Sequence, residues 1–147
     1  MVATDYLSYS AKFKEHLAHP RNAGELPKAN AIADETNPIC GDRLRLSLII
    51  KDDRIEAVRY LAYGCPPTLV CGSVLTELID GKTTAEARQL TRADLLDAIG
   101  GLPSRKHHAA ALAIGTLNSA LEACEAGDSI KPGRKPQVSK RNKVASP

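Results

Sequence analysis

The chain has 147 residues, 43% of them hydrophobic, 25% charged and only 3% aromatic, with a net charge of +3. This bounds it to one domain with an aliphatic core and excludes a multidomain enzyme, a repeat array and wholesale disorder. No apolar run reaches the ~18 residues a membrane span needs, and no apolar stretch follows a basic start, so no membrane association and a cytoplasmic location are expected.

In chain order, residues 4–18 predict a helix, with Tyr6, Leu7, Ala11, Lys14 and Leu17 in rough helical spacing and Pro20 as its stop. A Pro-, Gly- and Asn-rich loop follows, then a short strand over 29–37 and a turn at Asn-Pro-Ile-Cys-Gly-Asp. Residues 43–50 alternate, with Leu44, Leu46 and Leu48 on one face, and predict a half-buried strand. Lys-Asp-Asp-Arg is a tight turn, and residues 55–64 return as a second strand carrying Val58, Tyr60 and Ala62 on one face. With so short a connection the pair must be antiparallel. The two prolines after Cys65 break the chain. A helix with Leu69, Val70, Val74, Leu75, Leu78 and Ile79 as its stripe then runs to Gly81, with Thr68 as N-cap and Cys71 in its first turn. Thr83 or Thr84 and Thr91 start two short helices, the second ended by Gly100-Gly101, and a final helix covers about 107–125. The order predicts an α+β fold with helices segregated on one face of a small antiparallel sheet.

Six of the 20 basic residues stand from Lys131 onward with no acid among them, leaving 14 basic against 17 acidic residues before it. Residues 1–130 therefore read as the domain and 131–147 as a basic tail whose composition predicts disorder. The tail is either a solubilising segment or an electrostatic arm. No aromatic is interleaved with its charges, so nucleic acid is not an expected partner.

The four cysteines, Cys40, Cys65, Cys71 and Cys124, are read as free thiols in a reducing compartment. Their spacing is not that of a zinc ribbon. Cys40 precedes the first hairpin strand and Cys65 follows the second, so an antiparallel hairpin brings two thiols 25 positions apart to one tip. Asp42 stands two residues after Cys40 with Gly41 between them, and His107 and His108 open the last helix. Thiolate, carboxylate and imidazole together suit zinc, or iron with sulfide. A thiol enzyme with Cys71 or Cys65 as nucleophile and His108 as base is a further reading of the same residues.

Those residues lie in a longer set of motifs. It runs from Tyr9-Ser10, His16 and His19-Pro20-Arg21-Asn22-Ala23-Gly24 through Asn37-Pro38-Ile39-Cys40-Gly41-Asp42 and Tyr63-Gly64-Cys65. It continues with Ser73, Thr76-Glu77-Leu78-Ile79, Gly81-Lys82-Thr83 and Glu86-Ala87, then Gly100-Gly101-Leu102-Pro103, Lys106, His108 and Leu112-Ala113. Over Tyr9 to Leu121 the chain resembles the U-type iron–sulfur cluster assembly scaffolds, the IscU-like proteins and the N-terminal domain of NifU. The resemblance implies a three-stranded antiparallel sheet and a cluster site at one tip, with Cys40, Asp42, Cys65 and His108 as ligands and Cys71 and His107 as additional candidates. It implies a non-enzymatic scaffold that takes sulfur from a cysteine desulfurase, holds a transient [2Fe–2S] cluster and passes it to apo-proteins. A degenerate member holding Zn2+ or Fe2+ at the same residues, with a structural or regulatory role, is the alternative. The family's third cysteine, directly after the histidine, is Ala109 here. The Leu-Pro-Pro-Val-Lys segment is Leu102-Pro103-Ser104-Arg105-Lys106.

Overall fold

The computed structural model describes residues 8–38 and 40–125. Helix α1, Ala11–Ala18, starts at Ser10, whose side chain accepts from the Phe13 amide, and turns Phe13 and His16 inward. Over residues 8–10 the expected 4–18 helix is corrected by this cap: with its hydroxyl on the backbone, Ser10 is extended and this helix starts at Ala11, while residues 4–7 of that expectation lie outside the described residues. Strands β1, Ala31–Thr36, β2, Arg43–Lys51, and β3, Arg54–Tyr63, form one antiparallel sheet in that order. Asp52 and Asp53 take left-handed backbone angles in the β2–β3 turn, as a two-residue hairpin of matching twist requires. A bulge follows: Ile49 pairs with Ala57 but Ile50 with Ile55. Glu56 is thus the extra residue, and both Ile55 and Val58 reach the core despite their odd spacing.

Helix α2, Pro66–Ile79, begins on the prolines that the sequence reading took as breakers, with Cys65 as its N-cap residue. Proline suits a first turn because its missing N–H has no partner there anyway. Thr68 is therefore inside the helix, not its cap, and Cys71 moves into the second turn, fully buried. Helices α3, Thr84–Arg88, and α4, Arg92–Ile99, each open with a capping box, Thr83 with Glu86 and Thr91 with Asp94. Gly100, left-handed at φ 92°, ends α4. A 3-10 turn, Ser104–Lys106, leads into α5, His107–Glu125.

The helices cover one face of the sheet, α5 over β1 and β2 and α2 over β3. Leu44, Leu46, Leu48, Val58 and Tyr60 meet Val70, Leu75, Ala113, Leu117 and Leu121 in a single aliphatic core. Gly72 lies where α2 crosses the Tyr60 ring, and a methyl group there would stand 2.6 Å from Tyr60 Cδ2. Polar pins tie α1 and the following loop to α2. His16 Nδ1 meets Ser73 Oγ at 2.6 Å, the Arg21 amide donates to the same oxygen at 2.8 Å, and Asn22 Nδ2 donates to Thr76 Oγ1 at 3.1 Å. Residues 22–24 cover the outer edge of β3 through Tyr60 N–H to Asn22 O and Gly24 N–H to Tyr60 O. The boundary expected at residue 130 and the basic tail lie outside the described residues.

Candidate metal centre

The site is built at the end of the sheet where β2 begins and β3 ends. Arg43 pairs with Tyr63, so Asp42 and Gly64 follow as neighbours just beyond the ladder. The loop before β2 closes on itself: the Gly41 amide donates to Asn37 O and the Asn37 amide to Asp42 O, both at 2.7 Å. Gly41, at φ 79°, makes this closure without strain and leaves Cys40 exposed at the rim.

Asp42 is only 6% exposed. Its Oδ2 accepts the Thr68 hydroxyl at 2.7 Å and the Cys65 thiol at 3.0 Å. Burial works to raise the carboxyl, but hydrogen bonds from Cys65, Thr68, the Cys65 backbone and Cys40 outweigh it and hold Asp42 below the usual carboxylate range. The Cys65 thiol is pushed up, first by burial and then by the bond it donates to Asp42. Gly64 makes room for this arrangement. A methyl group there would lie 2.3 Å from Asp42 Oδ1, and its φ of 148° is itself unfavourable to other residues.

His108 comes from the start of α5. Its Nδ1 lies 3.2 Å from Arg105 O, so in the neutral ring this nitrogen donates and Nε2 keeps its lone pair. That Nε2 is buried and has no hydrogen-bond partner among the described residues. A ring nitrogen of His108 forms a group with Cys40 Sγ and an Asp42 oxygen, with all three atoms within 4.8 Å of one another. Cys65 stands outside this trio, joined to it through Asp42. One thiol, one carboxylate and one imidazole nitrogen with a free lone pair are a donor set for a borderline-soft cation. The unsatisfied buried nitrogen is the feature that a bound ion would explain.

Two of the additional candidates do not join this group. His107 Nε2 lies 2.9 Å from Leu102 O, a contact that turns the ring toward the loop before α5. Cys71 is enclosed by the core, and burial pushes its thiol up to about 12. Cys71, placed by the sequence in the first turn and named as an additional candidate, is set apart from this group because the helix starts at Pro66 and the thiol is enclosed by the core. Cys124 packs partly buried against the core. Ala109, where the family has its third thiol, is fully buried. Thr68 and Gly64 have roles the sequence reading did not assign. The only signal for them was position, one next to Cys65 and one three residues on.

The family model for the NifU-like N-terminal domain matches residues 8–129. An iron–sulfur cluster assembly scaffold protein IscU of Archaeoglobus fulgidus is 37% identical over 113 residues, covering 77% of this chain and 74% of that protein. The corresponding Aquifex aeolicus protein is 36% identical over 116 residues, covering 78% and 74%. A bifunctional NifU/MnmA protein of Rubrobacter xylanophilus is 41% identical over 116 residues, 78% of this chain but 24% of its own length. The crystal structure of the N-terminal part of a NifU-like protein from Brucella abortus superposes with a TM-score of 0.68. It covers 86% of this chain and 99% of that one at 16% identity, which establishes the shared fold. A three-stranded antiparallel sheet with helices on one face, Cys-Gly-Asp and Gly-Cys at one tip, and a match across nearly the whole described domain lead to one conclusion: the chain belongs to the NifU-like N-terminal domain family.

Proposed function

We propose that the chain is an iron–sulfur cluster assembly scaffold that transiently holds a [2Fe–2S] cluster as cargo at Cys40, Asp42, Cys65 and His108. The observation that carries this reading is the convergence of ligand atoms of Cys40, Asp42 and His108 within 4.8 Å, with His108 Nε2 buried and unpartnered among the described residues and Cys65 one hydrogen bond away. Thiolates and an imidazole supply the soft donors that sulfide-bridged iron prefers, and the carboxylate is a hard, exchangeable one. A scaffold needs that imbalance, since it must release what it binds. Sulfur arrives from a cysteine desulfurase, whose persulfide must come into bonding distance of a thiol, and the exposed Cys40 meets that demand. Apo iron–sulfur proteins take the finished cluster. No step of this role requires turnover of a small substrate. No helix among the described residues is long and apolar enough to cross a membrane.

The test is anaerobic reconstitution with Fe2+ and sulfide followed by desalting. Retained sulfide-to-iron charge-transfer absorbance, lost in Cys40→Ala and Cys65→Ala but kept in Cys124→Ala, supports the scaffold. Colourless protein that retains one tightly held zinc ion overturns it in favour of a zinc-holding relative. Equal loss in all three variants overturns the ligand assignment.

A further inference from the structure

Asp42 Oδ2 already has two partners. Thr68 Oγ1, on a residue 1% exposed, donates to it at 2.7 Å, and Cys65 Sγ donates to it at 3.0 Å. Thr68 Oγ1 also lies 3.7 Å from Cys65 Sγ. Carboxylate, hydroxyl and thiol therefore form a closed triangle beside the trio of Cys40, Asp42 and His108. Of the two proposed thiol ligands, Cys65 is the one that this triangle keeps occupied.

We infer that Thr68 is a positioning residue that makes loading of the site ordered, a reading that rests on the scaffold assignment above. A first divalent cation enters at Cys40, Asp42 and His108, whose ligand atoms already lie within 4.8 Å of one another. Cys65 is held in reserve. It engages only when its hydrogen bond to Asp42 opens, and its thiol proton then leaves to solvent as the metal–sulfur bond forms. Thr68 sustains the reserve state by fixing the carboxylate in the orientation that receives the thiol. Gly64 packs against the other face of that carboxylate, where a methyl group would clash, so Asp42 has little freedom to turn by itself. Without the Thr68 hydroxyl, the carboxylate loses one of the two bonds that orient Oδ2, and Cys65 joins the first ion. The hydroxyl thus separates capture of one ion, through a single thiolate, from commitment to a two-thiolate site.

The experiment is anaerobic titration of the apo full chain with Co2+, whose thiolate charge-transfer intensity counts bound sulfurs and whose visible bands report coordination. With the first equivalent, wild type should show one-thiolate intensity. Cys65→Ser should leave that first spectrum unchanged and Cys40→Ser should abolish it. Thr68→Val, close in shape but without the hydroxyl, should raise the first-equivalent intensity about twofold as a second thiolate joins. Thr68→Ser should restore the wild-type spectrum. A merely structural role for Thr68 would lower the melting temperature without changing the spectrum. Wild type showing two thiolates from the first equivalent, or Thr68→Val matching wild type, overturns the inference. If Thr68→Val does not fold, loss of the first spectrum in Cys65→Ser still overturns it. Failure to retain a cluster on reconstitution would count against the scaffold reading and leave the cobalt result standing, so the two failures are distinguishable.

Discussion

Single residues at the tip have separable duties, and each can be tested against the others. Gly64 carries no donor, yet Gly64→Ala should damage the site as much as loss of a ligand. The added carbon would sit 2.3 Å from Asp42 Oδ1, and φ 148° is strained for any other residue. A loss of about 1–3 kcal/mol in urea unfolding is expected, together with loss of metal retention. Thiol reactivity should divide by environment. Alkylation of the native apo-protein, followed by peptide mass spectrometry, should label exposed Cys40 first and buried Cys71 last, since the latter must expose itself and lose its proton with a pKa of about 12. Early labelling of Cys71 would show that α2 opens readily. Ala109→Cys should work in two directions. It places sulfur in a fully buried position, which lowers apo-protein stability by about 1–3 kcal/mol. It also supplies a third thiolate next to His108, which should lengthen cluster lifetime under a chelator. An unchanged lifetime would show that this position cannot turn toward the ions.

At the scale of elements, the joint between α1 and α2 is polar and sensitive to pH. His16 is buried, with Nδ1 on Ser73 and Nε2 3.3 Å from Glu77. Burial lowers its pKa, an effect only partly opposed by Glu77. A folded pKa below the unfolded one, about 6.5 for histidine, gives stability that is complete above that pH and lost as pH falls toward the folded value. Asp34 and Asp42, both held low, add losses only further down, below the ordinary carboxylate range of about 4. Melting temperature should therefore drop in a first step below about pH 6.5, and His16→Gln should remove that step while leaving the acid limb. Persistence of the step in the variant would place its origin elsewhere. The elements were largely legible because their signals are local. The alternation of Leu44, Leu46 and Leu48 gives β2, and Thr83 and Thr91 with acids three residues later give two helix starts. The start of α2 was misread because Pro66 and Pro67 interrupt most structures but suit a first helical turn. That shift of three residues, from Thr68 to Cys65 as the cap, moved Cys71 from the first turn to the second, where it is buried in the core. Hairpin topology put Cys40 and Cys65 at the same end of the sheet, but did not foretell that Cys65 lies outside the group of Cys40, Asp42 and His108. Nor was the Asp42–Thr68 bond legible, since no periodicity links positions 26 apart.

Across the whole molecule, the proposed ligands come from three places: the loop before β2, the junction of β3 with α2, and the start of α5. An ion that joins them cross-links the sheet to both covering helices and should stabilise the folded state by mass action. At free metal about 100-fold above its dissociation constant, the gain is about 2.7 kcal/mol. Melting temperature should rise with added Zn2+ or Fe2+ and return on addition of a chelator, and this response should vanish in Cys40→Ala. A metal-independent melting temperature in wild type would place the ion somewhere other than between these elements. The same architecture gives an unexpected weight to Gly72, which bears no donor and lies away from the tip. The hydrogen on its α-carbon is all that separates α2 from the Tyr60 ring, so it sets the thickness of the layer between helix and sheet. Cys65 and Thr68 ride on the leading end of that helix, while Asp42 is fixed to the sheet. The gap at Gly72 is therefore a gauge for the distance across the triangle of Asp42, Thr68 and Cys65. A side chain there would act as a wedge, prising one jaw of the site from the other while leaving every ligand chemically intact.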